Sequence, residues 1–240
     1  MQSNSVMSGK QDSFGPRLKK LGREQQDLLV KHLNLVIETN KTINVTRISD
    51  YHDGLIHHIE DSLAGLDALR KAPEGKLADI GSGAGYPGIP LAVVSGRATT
   101  LIESIQKKAA ALNSYLEAMK TGETIRVEAR RAEELAQQYR EHYAVVCARA
   151  VSELPVLVEL AAPLLCRSGL LLCYKGRPSE EELRRGDCAA ELCGMKAIEP
   201  EIYSLNETIT ERMIVLYQKQ SKPSIHLPRR VGLAKKHPLA

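Results

Sequence analysis

The sequence predicts an α/β protein: a doubly wound, mostly parallel sheet that ends in an antiparallel hairpin and is preceded by N-terminal helices. Three observations predict it. Five β-like runs, at 76–81, 98–104, 123–128, 143–149 and 169–175, alternate with helical runs at 86–95, 105–120, 132–140 and 151–166. That alternation is the pattern of parallel strands with helices on both faces. The first β-like run leads straight into a glycine-rich turn and an apolar helix start, LADIGSGAGYPGIP at 77–90. Finally, the runs at 195–204 and 211–219 follow one another with no helix between them, which makes a hairpin at the end of the sheet.

Taken in order, residues 1–16 are rich in Ser, Gln and Gly and read as a loose tail. Leu18, Leu21, Leu28, Leu29, His32, Leu33 and Val36 recur at spacings of three and four, the mark of an amphipathic helix over 17–39. NKTINVTRIS (40–49) breaks it with turn formers, and helical spacing resumes over 54–69 through Leu55, Ile59, Leu63 and Leu66. Pro73, Glu74 and Gly75 punctuate before the first strand. A single domain over 17–240 is expected, with helices to residue 75, a sheet core over 76–220 and a basic tail over 221–240.

Composition narrows the function classes. Hydrophobic residues make up 43% and charged residues 26% of the 240, ordinary for a soluble globular protein. The longest apolar runs, such as 143–151, fall far short of the roughly 20 residues of a membrane span. The start shows no secretory signal, and five cysteines without a CxxC pair fit a reducing cytoplasm better than a disulfide framework or a zinc site. The seven histidines show no metal spacing, so no metal is expected. Net charge is +4, but from Arg212 onward there are seven Lys or Arg and no acid, a candidate polyanion-facing tail or simply a solvated terminus.

The glycine turn admits two ligands. GAGYPG (83–88) matches the GxGxxG dinucleotide pattern, whereas DIGSGAG (79–85) places an acid two residues before GxGxG. Asp79 would repel a pyrophosphate, which decides against a dinucleotide. Glu103 ends the second β-like run, where an acid accepts the hydroxyls of an adenosine ribose or caps the next helix. Glu133 in RRAEEL lies where an adenine would be held, or is a routine first-turn acid. Arg149 ends the fourth run, in the ligand crevice of such sheets or in a surface ion pair.

As a set, DIGSGAGYPGIPLA, QKKAAALN, RRAEEL, ARAVSELPVLVELAAPLL and YKG strongly resemble the RsmG/GidB family, and the likeness extends to NKTINVTRI, HHIEDSL and PRRVGLAKKHPL. It covers most of residues 30–240. Members of this family are bacterial methyltransferases that modify a guanine of 16S ribosomal RNA at N7. The resemblance implies a class I methyltransferase (Rossmann-like) sheet and S-adenosylmethionine as cofactor. It implies cofactor contacts from Asp79, Gly81, Gly83, Gly85, Tyr86 and Glu103, with Ala132 and Glu133 at the adenosine end and Arg149 at the crevice between cofactor and RNA. Tyr86 departs from the Phe or Leu usual there. Arg149, Lys175, Arg229, Arg230, Lys235 and Lys236 would meet the RNA, with Lys19, Lys20 and Arg23 as further cations. HHIEDSL points to His58, Asp61 and Ser62, either at the pocket rim or in the scaffold.

The implied reaction needs no catalytic base, because guanine N7 carries no proton and attacks through an in-plane lone pair; orientation and electrostatics do the work. The partner would be 16S ribosomal RNA or a small-subunit particle, met by a monomeric, cytoplasmic enzyme. A small-molecule methyltransferase, which would share the glycine turn without needing the basic tail, and an NAD-dependent oxidoreductase are the alternatives.

Overall fold

The structure, a computed structural model, describes residues 13–205 and 211–240. A short helix, α1 (Pro16–Lys19), and a long one, α2 (Arg23–Asn40), open it. The single helix expected over 17–39 is thus broken at 20–22, and Gln26 closes the break by donating its amide to the carbonyls of Leu18 and Leu21, both at 3.1 Å. Phe14, inside the stretch expected as a loose tail, is buried in the core, and buried Glu60 accepts the backbone N–H groups of Arg17 and Leu18. Residues 1–12 of that stretch lie outside the described residues. Helix α3 (Tyr51–Gly54) continues as a π-helical stretch (Leu55–Glu60), then α4 (Asp61–Leu63) and α5 (Leu66–Lys71).

The sheet follows. In chain order it comprises β1 (Leu77–Ile80), α6 (Gly88–Ser95), β2 (Thr99–Ile102), α7 (Gln106–Met119), β3 (Ile125–Glu128), α8 (Ala132–Gln138), β4 (Tyr143–Arg149), α9 (Leu154–Ala161) and β5 (Leu165–Lys175). Then come α10 (Glu180–Leu192), β6 (Met195–Tyr203), β7 (Arg212–Lys219) and α11 (Leu233–Lys236). Spatial order is β3-β2-β1-β4-β5-β7-β6, parallel through β5, with β7 antiparallel to both of its neighbours. The expected sheet and closing hairpin are both present.

Strand alternation sorts the core into two layers. Leu77, Val145, Cys147 and Leu172 face a cluster that includes α2, α6 and α7 residues, while Ala78, Val146, Ala148 and Leu171 face one that includes α8, α9 and α10 residues. The helix expected over 151–166 ends at Ala161, because Leu165 and Cys166 already belong to β5. Tyr143 pairs with Leu165 and Val145 with Leu170, so β5 bulges between them. The strand backbone approaches closely there: a Cβ on Gly169 would stand 3.0 Å from the carbonyl oxygen of Ala144. Among the described residues, no helix is long and apolar enough to cross a membrane.

This order reverses direction between β1, whose crossovers run to β2 and β3, and β4, which continues to β5 on the other side. Open α/β sheets bind ligands at such a switch point, off the C-terminal ends of the strands. The glycine turn and Arg149 both emerge there.

Candidate active site

A cavity of about 670 Å³ opens at the switch point. One wall is the turn after β1, residues 81–84, joined by Glu103 from the end of β2 and Lys108 from α7. The opposite wall comprises residues 44–48, His57, His58, Asp61, Arg149 and Arg212.

The turn is held from beneath by two carboxylates. Fully buried Asp79 accepts the N–H of Gly88 at 3.0 Å through Oδ2, so it anchors the N-terminus of α6. Glu103 accepts the N–H of Gly83 at 3.0 Å and that of Ile105 at 2.8 Å, one on each oxygen. The turn is also held by His32 of α2, whose Nε2 donates to the carbonyl of Ala84 at 2.9 Å. Burial pushes the His32 imidazole down to about 4, against the raising effect of that bond, so it is neutral.

Tyr86 floors the opposite wall. Its buried ring stacks on His58 at 4.4 Å between centroids and 10° between planes, with the Arg149 guanidinium 5.5 Å from its centroid. Arg149 is fixed by three acceptors: the His57 carbonyl at 2.8 Å, Asp61 Oδ2 at 2.8 Å and His58 Nδ1 at 3.2 Å. The guanidinium has only donors, so Nδ1 must accept, which places the His58 proton on Nε2, 3.0 Å from the Thr46 hydroxyl. Burial, reinforced by the Arg149 charge, pushes His58 down to about 3. The π-helical stretch carries both the His57 carbonyl and the His58 ring to the same arginine, and such local widenings recur at functional sites.

Asp61 is the hub. It is 2% exposed, accepts from Arg149 and from the Tyr203 hydroxyl (2.6 Å), and is ion-paired with Arg212, whose Nε lies 2.9 Å from Oδ1 out of hydrogen-bond alignment. The three residues singled out in HHIEDSL divide: His58 and Asp61 line the cavity, while the Ser62 hydroxyl donates to the His58 carbonyl within the helix.

Of the residues expected to meet the cofactor, Gly81, Gly83, Tyr86, Glu103 and Arg149 line the cavity. Asp79, Gly85, Ala132 and Glu133 are not among the lining residues. Asp79 lies beneath the turn, on the face of β1 that it shares with Leu77. A Cβ at Gly85 would meet Ile89 at 2.5 Å and His32 at 3.0 Å, so that glycine serves packing. Glu133 accepts the N–H of Gly232 at 2.8 Å and so holds the C-terminal tail. Of the expected RNA-facing cations, Lys175 is paired with Glu182 at 2.6 Å, and Arg229 grips buried Glu159 through both carboxylate oxygens. Arg230, Lys235 and Lys236 are exposed.

Sequence reasoning passed over Thr46, Arg47, Lys108 and Arg212 as cavity residues. NKTINVTRI carried the signal for the first two as an ordered motif, but nothing in its spacing shows that it folds back over the glycine turn.

The burial of Asp79 has a measurable consequence. Desolvation raises its carboxyl to about 6, against the bond from Gly88 and further lowering contacts. In the unfolded chain the group titrates near 3.8, so between these values the folded state holds the extra proton. Stability from this group is therefore fully present below about 4 and falls by about 3 kcal/mol as pH rises to about 6. The difference in unfolding free energy between wild type and Asp79→Asn, measured in urea at pH 4 and pH 7, should change by about that amount, in favour of the variant at pH 7. An unchanged difference would mean that Asp79 is solvated.

A family model described as GidB, rRNA small subunit methyltransferase G, matches residues 25–212. Curated proteins named ribosomal RNA small subunit methyltransferase G are similar along nearly the whole chain. One from Staphylococcus epidermidis is 35% identical over 92% of both chains. One from Carboxydothermus hydrogenoformans is 34% identical over 94% of this chain and 95% of its own. Among solved structures, M. jannaschii TYW2 in complex with AdoMet aligns with TM-score 0.50 and 16% identity, over 65% of this chain and 74% of its own. A point mutant of MtNAS in complex with S-adenosylmethionine aligns with TM-score 0.54 and 14% identity, over 81% of this chain and 73% of its own. At those identities they show the shared fold. The match to the family model and the full-length relatives together show that the chain belongs to the GidB family of rRNA small subunit methyltransferases.

Proposed function

We propose that the chain transfers a methyl group from S-adenosylmethionine to N7 of a guanine in 16S ribosomal RNA, free or in a small-subunit particle. One observation carries the reading beyond family membership: the glycine turn, Glu103 and Arg149 converge on one cavity whose far wall is rich in guanidinium groups. The residues present fit the cofactor. A Cβ on Gly83, which lines the cavity, would meet only the Gly81 carbonyl oxygen, at 3.9 Å, so the turn leaves room for a ligand against its backbone. Each Glu103 oxygen keeps an acceptor site beyond the backbone bond it already receives, which suits ribose hydroxyls. When bound, S-adenosylmethionine supplies an electrophilic methyl group on a sulfonium.

The chain's own part is to bind and orient. Asp61 and Glu103, the carboxylates of the cavity, are committed to cations, a hydroxyl and backbone N–H groups, and His58 is neutral with both nitrogens bonded. Such a site suits an attacking nitrogen that brings no proton to remove. A dinucleotide is disfavoured by the same geometry, because the Asp79 carboxylate already sits on the N–H of Gly88, at the start of α6, where a pyrophosphate would be received.

The test is transfer of a labelled methyl group to small-subunit RNA from cells lacking this enzyme, followed by borohydride reduction and aniline cleavage, which cut RNA at N7-methylguanine. Labelled RNA with one cleavage site is expected; label without cleavage would move the methyl group off N7. Single-turnover rates should also stay level from pH 7 to 9. A pH-dependent limb that vanishes in His57→Gln would instead make His57 a general base and overturn the N7 reading.

A further inference from the structure

The two walls of the cavity come from different parts of the chain. Residues 81–84, Glu103 and Lys108 lie on the turns of the sheet core, where the fold receives its cofactor. The far wall is assembled from the loop before α3, the π-helical stretch and the start of α4, the last residue of β4 and the first of β7, and its chemistry is cationic. Arg47, Arg149 and Arg212 line it together with one carboxylate, Asp61, which pairs with Arg149 and Arg212. Arg149 is used up by three acceptors beside Tyr86. Arg47 is exposed and makes no ion pair among the described residues. Arg212 is 27% exposed at the side chain, with Nε against Asp61. Three guanidiniums against one carboxylate leave positive charge on this wall, and a base or a sulfonium does not call for it.

RNA brings what this wall lacks. Guanine N7 lies in the deep, narrow groove of an RNA helix, so a nucleotide that presents it must be in a loop or turned out of the stack. Its two flanking phosphates then stand at the mouth of whatever pocket takes the base. We propose that Arg47 and Arg212 form a phosphate clamp that grips the RNA backbone beside the target nucleotide, with Asp61 as the positioning residue that aims Arg212. This rests on the RNA reading above. Guanidinium forks suit phosphate oxygens, and an arginine already oriented by a buried carboxylate loses less freedom on binding than a free one. Arg47, without such an anchor, adapts to the second phosphate.

The experiment titrates a 16S ribosomal RNA transcript against wild type, Arg47→Gln, Arg212→Gln and Arg212→Lys across a salt series, with calorimetric titration of S-adenosylmethionine beside it. Each glutamine variant should bind RNA about tenfold or more weakly, with the log–log salt slope reduced by about 0.7–0.9 for each lost contact. Cofactor affinity should stay within about twofold of wild type. Arg212→Lys should recover the slope but not the full affinity, because it keeps the charge and loses the fork. Arg47 is exposed, so its variant keeps the test open should Arg212→Gln misfold. A full salt slope in folded Arg47→Gln overturns the clamp, even if wild type methylates RNA. Loss of cofactor affinity in step with RNA affinity overturns it as well, by assigning these residues to the cofactor wall. A reduced slope in both glutamine variants supports the clamp even if no methyl group is transferred, in which case the proposed reaction falls alone.

Discussion

Gly83→Val is expected to weaken S-adenosylmethionine binding by about a hundredfold or more, roughly 2.7 kcal/mol, while the protein stays folded. Gly83 has φ +57°, in the left-handed region where a side chain costs roughly 1–2 kcal/mol. For a chain of this size that strain lowers the melting temperature by only several degrees. No protein atom crowds the new Cβ, the nearest being 3.9 Å away, and Gly83 lines the cavity. The branched carbons would therefore fill the cavity the cofactor needs. Gly81→Val makes the contrast. Gly81 has φ +71°, but its Cβ would lie 2.6 Å from Val151 Cγ2, so that variant should lose stability along with binding. Calorimetry and a thermal melt on both variants separate the two effects. Binding by Gly83→Val within about threefold of wild type would remove the turn from the cofactor site.

The division between these glycines shows what the sequence could and could not reveal. Alternation of β-like and helical runs predicted the sheet, because burial on both faces leaves an unmistakable apolar signature in strands such as Tyr143–Arg149. The glycine turn announced a close approach to the backbone. It did not say which glycine faces a ligand and which faces His32 or Val151, since that depends on partners distant in the chain. Asp79 is the sharpest case. Its place two residues before the glycines marked it as a ligand-side acid, yet the period-2 rule puts it in the same layer as Leu77, beneath the turn. Glu133, Lys175 and Arg229 are each neutralised or bonded by a residue that local pattern cannot pair with them: Gly232, Glu182 and Glu159. The far wall was the least legible part. Its arginines lie at positions 47, 149 and 212, and the carboxylate that gathers two of them sits at 61, in a motif the sequence marked without showing what it would pair with.

Arg229→Ala should cost about 3–5 kcal/mol of stability, more than any other change in the basic tail. Glu159 is 3% exposed in α9, and both of its oxygens receive the Arg229 guanidinium, which also donates to the His237 carbonyl at 2.8 Å. Removing the arginine leaves a carboxylate buried without its counter-charge, so the penalty is desolvation that nothing offsets. The loss should lower the melting temperature by roughly 6–20 °C, at 2–4 °C per kcal/mol for a chain of this size. Replacing both partners with apolar residues of similar volume, Glu159→Leu with Arg229→Met, should recover most of it, because no charge is then left in the interior. The exposed cations of the same tail should behave in the opposite way. Neutralising Arg230, Lys235 and Lys236 together should leave the melting temperature near that of wild type and reduce the salt slope of RNA binding. A melting temperature unchanged in Arg229→Ala would show that the tail is not latched to α9 in solution, and Arg229 would then rejoin the cations available to RNA.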